Sequence, residues 1–270
     1  MDEALEAAEF LARSENRVAA LFELRDRAQT RAELREKTGM SQVTIGRVLE
    51  ALEDRRWIEA DGEAYRTTAV GDMVAESLDG FLDALAAAET LGDIARWLPT
   101  EEYDFGLDRL ADADVIRPGP TDPNVTLRTA AEQVAESDHV QILTHAFSTM
   151  VTDVIHERVT AGEMTAECVF SPAVYEALER AGGVNDEFLA LIDADGVTFY
   201  RYDGEVPHVL AILDDGVGIG VDDEEGLPRA VLDVFDPVVR EWAAETFERY
   251  RADAVLVEDY DDLAPVDNDE

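Results

Sequence analysis

The sequence predicts a mixed chain, α+β in its first part and α/β in its second. A helical N-terminal part ends in a small hairpin, a long helical connector follows, and a small α/β domain closes the chain. Three observations predict this. Residues 1–70 carry four short helical patterns and then two extended segments around Asp61-Gly62. Residues 69–97 continue as one helical pattern. From residue 124 onward, helical stretches alternate with short apolar runs, the pattern of a sheet covered by helices. With 270 residues and 46% hydrophobic content the chain can build more than one core.

Residues 3–12, rich in Ala, Leu and Glu, read as a first helix. Ser14 is placed to cap a second helix to Arg27, with Val18, Leu21 and Phe22 as its apolar stripe. Thr30 can cap a third over 31–38, closed by Gly39, and Ser41 can cap a fourth over 42–54. Trp57–Ala60 and Ala64–Thr67 flank Asp61-Gly62 as a hairpin. In the connector, Val70, Met73, Val74, Leu78, Phe81, Leu82 and Leu85 fall on one side, with breaks expected at Gly80 or Gly92, and Pro99 stops the pattern. The stretch 117–123, with three prolines and a glycine, is a loop.

Beyond it, helices are expected near 124–136, 148–161, 172–181 and 184–193, and strands at 139–145, 165–170 and 197–202. Val209–Leu213 and Val217–Val221 flank Asp214-Asp215-Gly216 as a second hairpin. A last helix covers 235–251, and residues 253–270, acidic and poor in large apolar side chains, are expected to be disordered. The domain division is therefore 1–70, a connector over 71–98, 99–252, and a tail.

Charge separates these parts. Asp and Glu number 62 against 22 Lys and Arg, a net charge of −40. Lys37 is the only lysine. Surplus carboxylates with almost no lysine resemble the composition of halophile proteins, whose surfaces stay hydrated in molar salt. Residues 1–70 hold 11 basic and 15 acidic residues, net −4, whereas residues 71–270 hold 11 and 47, net −36. Half of the positive charge in the first quarter of the chain points to contact with a polyanion there.

The helix after Ser41 sharpens this. Ile45, Val48, Leu49 and Leu52 share one face and must pack inward. Val43, Arg47 and Glu50 lie opposite, with Gly46 beside them and Gln42 and Thr44 in the first turn. A helix that lays its N-terminal half in a major groove needs such polar tips, one reaching arginine and a small residue for close approach. Val43 can meet a thymine methyl. The preceding helix offers Arg31 and Lys37, with Thr30 at its start, and the hairpin offers Tyr65 and Arg66 to the phosphates. The candidate DNA-binding residues are thus Thr30, Arg31, Lys37, Ser41, Gln42, Val43, Thr44, Gly46, Arg47, Tyr65 and Arg66. The run from Leu34 to Leu52, followed by Trp57-Ile58, Asp61-Gly62, Tyr65 and Thr67, resembles the winged helix-turn-helix of archaeal transcriptional regulators. The alternative is a winged helix that contacts protein within the transcription apparatus. The polar face with Gln42, Thr44 and Arg47 favours double-stranded DNA.

Several chemistries find no support. A phosphate loop needs a lysine that the second domain lacks, and no Gly-x-Ser-x-Gly or His-Glu-x-x-His occurs. A His-x-Lys dyad is excluded in the same way. His139, His145, His156 and His208 have no Cys-x-x-Cys partner, so no metal site is expected. Cys168 lies in an expected strand and reads as a buried, inert thiol. The expectation is a non-enzyme without a cofactor. The segment Tyr200–His208, together with Leu213–Gly220 and the helix carrying Arg240, Trp242, Phe247 and Tyr250, is similar to the C-terminal effector-binding region of haloarchaeal winged-helix regulators. That resemblance implies a ligand-sensing or dimerising domain. Polar groups at strand ends, Arg128, His145, Arg201, Tyr202 and His208, are the candidate ligand contacts. A homodimer joined through the connector, a small-molecule effector and a cytoplasmic location without membrane contact complete the expectation; an acidic start and no long apolar run argue against a signal peptide or a spanning helix.

Overall fold

The structure, a computed structural model, describes residues 1–180 and 186–263. It separates into two compact units, Met1–Asp83 and Ala84–Glu270. The division falls inside one long helix, Ala69–Leu91.

In the first unit the chain runs through α1 (Asp2–Ala12), α2 (Glu15–Asp26), β1 (Gln29–Thr30), α3 (Arg31–Thr38), α4 (Gln42–Asp54), β2 (Ile58–Asp61), β3 (Ala64–Thr67) and the start of α5 (Ala69–Leu91). Each boundary has a local cause. Thr30 and Glu33 form a reciprocal capping box at the start of α3, and Gly39 ends that helix in the left-handed conformation at φ 69°. Ser41 Oγ accepts from the backbone N–H of Thr44 at 3.2 Å and starts α4. Ser14 occupies the N-cap position of α2, but its side chain makes no capping bond. Ile45, Val48, Leu49 and Leu52 are all buried, and they meet Leu21, Leu24, Leu34 and Trp57 in one core. The hairpin pairs Ile58 with Thr67 and Asp61 with Ala64. A third strand, β1, adds to it through Gln29↔Tyr65. Two residues carry no alternation, so this strand leaves no mark in the sequence.

The second unit contains an eight-stranded sheet in the order β11-β7-β6-β5-β8-β9-β10-β4. Its strands are β4 (Asp114–Ile116), β5 (His139–Thr144), β6 (Thr165–Phe170), β7 (Val197–Arg201), β8 (Val209–Ile212), β9 (Val217–Asp222), β10 (Pro228–Val234) and β11 (Val255–Leu256). The helices are α6 (Val125–Ala135), α7 (Thr149–Thr160), α8 (Pro172–Arg180), α9 (Asp186–Ile192) and α10 (Pro237–Ala252). β5, β6 and β7 are parallel, and the remaining pairs are antiparallel.

Alternation along the strands loads both faces of this sheet. Val140, Ile142, Ala166, Cys168, Phe170 and Phe199 face a core shared with α6 to α9. Leu143, Val169, Leu210, Ile219 and Leu232 face a second core with Trp242 and Phe247 of α10. Short 3-10 turns at 92–97, 100–102 and 107–110 cover that second core with Ile94, Leu98 and Leu110. The connector pattern therefore passes straight through Gly80 and leaves the α-helix only at Gly92. The expected disorder from residue 253 is corrected for 255–263: β11 pairs with β7 through Val255↔Arg201, and a 3-10 turn covers Tyr260–Leu263. The rest of the tail, 264–270, lies outside the described residues.

Candidate functional site

In the first unit, α3 and α4 form a helix-turn-helix, and the β2–β3 hairpin stands where a wing belongs. Burying Ile45, Val48, Leu49 and Leu52 obliges α4 to turn Gln42, Val43, Arg47 and Glu50 to solvent. Val43, an apolar side chain, is 64% exposed. Gly46 sits beside these residues, and a Cβ added there would meet nothing within 4 Å. Its smallness is not required inside the chain, although glycine costs a helix about 1 kcal/mol against alanine.

The cations of this face differ in their commitments. No side-chain hydrogen bond or ion pair holds Arg47 or Arg35 among the described residues. Arg31 donates to Tyr65 Oη at 2.6 Å and lies against its ring. Lys37 is paired with Glu23 at 2.5 Å, and Arg66 with Glu59 at 2.5 Å. Such exposed pairs contribute about 0–1 kcal/mol each, so phosphates can replace the carboxylates. Thr30, Ser41 and Thr44 use their hydroxyls on helix starts. Backbone and hydroxyl hydrogen bonds from Thr30 hold the Glu33 carboxyl down at about 2.

In the second unit a cavity of about 310 Å³ lies between the sheet and helices α6, α7 and α9. Phe147, Phe170, Phe188 and Phe199 line it, with ring centroids 5.3–6.5 Å apart. Thr126 lines it too; this side chain is 1% exposed and its Oγ1 has no partner among the described residues. At the polar rim stands Asp222, whose Oδ2 lies 3.3 Å from His145 Nε2. That carboxylate raises the His145 pKa above its ordinary value, against the opposing effect of burial. Cys168 also lines the cavity, but burial raises its thiol to about 12, so it has no nucleophilic character.

The sequence-selected ligand contacts do not converge here. Arg128 is exposed and paired with Asp122. Arg201 is buried, donating to Asp203 at 2.7 Å and to the backbone carbonyl of Asp262. Tyr202 packs edge-on against Tyr250 at 4.8 Å. His208 is buried in the opposite core, against Tyr103 and Trp242, and both its ring nitrogens lack partners among the described residues. Burial lowers its pKa to about 4. None of the five lines the cavity; His145 is joined to it only through its contact with Asp222. The phenylalanine cluster and Thr126 carried no sequence signal as a site: phenylalanines at these positions read simply as core.

Two family models match. One, described as the middle domain of the methanogenesis regulatory protein FilR1, covers residues 123–253; the other, the HVO_A0261 N-terminal domain, covers residues 5–90. In both of its parts the chain is similar to archaeal helix-turn-helix-type transcriptional regulators. No curated protein matches it. Among solved structures, TrmBL2, an archaeal chromatin protein, is similar at 16% identity over 89% of this chain and 91% of its own, with a TM-score of 0.42. NucT from Helicobacter pylori is similar at 12% identity over 54% of this chain and 99% of its own, TM-score 0.43. Nuc from Salmonella typhimurium, a phospholipase D family member, is similar at 12% identity over 54% and 97%, TM-score 0.39. No helix among the described residues of the regulator is long and apolar enough to cross a membrane.

Proposed function

We propose that this regulator binds double-stranded DNA sequence-specifically as a homodimer, and that its second unit senses a small molecule without catalysing a reaction. The observation that carries the DNA reading is the outward face of α4. It presents Gln42, Val43 and an unpaired Arg47 around a glycine that nothing within the chain requires. An arginine at this position reaches a guanine edge or a phosphate, and Gly46 lets the helix approach the groove floor. Arg31, Arg35, Lys37 and Arg66 serve the flanking phosphates. An effector in the second unit acts only through a difference in its affinity for the DNA-bound and free forms.

The test is anisotropy with the duplex upstream of the protein's own gene, against a scrambled duplex of equal length, in molar KCl. Selective binding that Arg47→Ala weakens at least tenfold, with an unchanged melting temperature, supports the reading. Normal binding by Arg47→Ala removes α4 from the groove. Failure to bind either duplex, with no DNA fragments recovered in a genome-wide pull-down, favours a protein-contacting winged helix instead.

A further inference from the structure

We infer that the cavity beneath α6, α7 and α9 takes an uncharged, aromatic molecule carrying a single hydroxyl group, of the size of a substituted phenol or naphthol. This inference rests on the sensor reading of the second unit and gives its ligand a chemical class. Three features of the cavity select that class. Its volume, about 310 Å³, lies at the small end of the range for ligand sites, about 300–1,000 Å³. Its walls are apolar and rich in aromatic rings: Phe147, Phe170, Phe188 and Phe199 stand around it, with Ile142 and Ile155 between. Such walls favour a flat ring stacked or edge-on against them.

The polar groups decide the head of the ligand. Thr126 Oγ1 is buried and unsatisfied, a costly arrangement unless something in the cavity completes it. Asp222 spends one carboxylate oxygen on His145, and its other oxygen takes no donor from the described residues. A hydroxyl can complete Thr126 Oγ1 as donor or acceptor, and it can donate to the Asp222 carboxylate. A carboxylate does not fit. Among the described residues no Arg or Lys lines the cavity, and an anion would be buried beside Asp222 in a part of the chain whose net charge is −36. His145, the nearby group able to carry positive charge, is already engaged by Asp222.

The cavity glycine Gly220 belongs to the same arrangement. A Cβ there would lie 2.8 Å from Cβ of Val209 across the β8–β9 pair, so only glycine keeps these two cavity-lining strands in register.

The full chain in molar KCl is titrated with matched probes: 2-naphthol, 2-naphthoate and naphthalene, then 4-butylphenol, 4-butylbenzoate and butylbenzene. Melting temperature and calorimetric binding are both read. The phenols should raise the melting temperature with rising concentration, the carboxylates should not, and the parent hydrocarbons should bind about tenfold more weakly than the phenols. Thr126→Val keeps the shape and removes the hydroxyl. It should leave the unliganded protein at least as stable and should abolish the preference of phenol over hydrocarbon. Tighter binding of the carboxylates, or no binding of any probe, overturns the inference. So does a preference unaffected by Thr126→Val in a protein that still folds. DNA affinity measured on the same samples keeps the two readings apart. Phenol binding that leaves DNA affinity unchanged removes the sensor role and keeps the ligand class. Loss of phenol binding with intact DNA binding removes the ligand class alone.

Discussion

Two glycines of α5 look alike in the sequence and have opposite consequences in the fold. A Cβ on Gly71 would lie 1.8 Å from the backbone carbonyl oxygen of Trp57, whereas one on Gly80 would meet nothing within 4 Å. Gly80→Ala should therefore stabilise the protein by up to about 1 kcal/mol through helix propensity. Gly71→Ala should destabilise it by about 1–3 kcal/mol, because the helix start must move off the backbone at Trp57. Denaturant midpoints of the two variants check this, and equal signs would refute it. His208 carries a pH effect of the same local kind. Its folded pKa, about 4, lies below the ordinary value of 6.5, so between the two the unfolded chain binds the extra proton. Stability from this site is complete above 6.5 and is lost as the pH falls toward 4. His145, raised by Asp222, acts with the opposite sign: its contribution is held at low pH and lost as pH rises through its folded value. His208→Phe suits the ring cluster of Tyr103 and Trp242 and removes the first effect. The variant's melting temperature should gain on the parent's as pH drops from 6.5 to 4, by the equivalent of about 2–3 kcal/mol at the lower end. A constant difference would mean that His208 does not titrate in this range.

At the scale of elements, α5 presents an unusual surface. At 100° per residue, Val70, Met73, Phe81 and Leu85 fall along one stripe, and all are exposed, Met73 by 59% and Phe81 by 58%. Apolar stripes of this length on a solvent face mark contacts with other chains. A homodimer through this stripe predicts that Met73→Glu with Phe81→Glu halves the mass measured by light scattering in molar KCl. It also predicts weaker binding to a two-half-site duplex by tenfold or more, since the half-sites are no longer linked. An unchanged mass would remove α5 from the interface. The elements also show what a sequence can and cannot say. The buried face of α4 was legible because 45, 48, 49 and 52 repeat at helical spacing after the capping Ser41. β10 was not: Pro228–Val234 opens on a proline, which breaks a strand pattern, and only its pairing with β9 and β4 makes it a strand. The cavity was hidden for a different reason. Thr126, Phe147, Phe170, Phe188 and Asp222 come from α6, the β5–α7 loop, β6, α9 and β9, and nothing in their spacing joins them. Tyr200–His208 stood out by composition, yet Arg201 and His208 turned out to be spent on internal packing and pairing.

The whole molecule carries a charge of −40, and that charge constrains how it can hold DNA at all. Self-repulsion weakens with ionic strength, because the Debye length falls from about 10 Å at 0.1 M salt to about 3 Å at 1 M. The fold should therefore gain stability as KCl rises, while the attraction of cations for phosphate weakens. A regulator that works where the fold is stable must rely little on counterion release. The helix-turn-helix is built in that way. Of its exposed cations, Arg31, Arg35 and Arg47 have no carboxylate partner, whereas Lys37 is tied to Glu23, and on the wing Arg66 is tied to Glu59. Each phosphate neutralised contributes about −0.9 to the slope of log affinity against log salt. Three cations per subunit without a carboxylate partner then give a slope of about −2.7 per subunit, or about −5.4 for a dimer, roughly six-tenths of what a protein with ten phosphate contacts would show. Breaking the internal pairs should steepen it: Glu23→Gln with Glu59→Gln frees Lys37 and Arg66, and the slope should grow by about 2 per subunit while affinity at low salt rises. Anisotropy titrations between 0.5 and 2 M KCl read both slopes. A slope that the double variant leaves unchanged would mean that Lys37 and Arg66 do not face phosphate, and that the wing lies off the duplex.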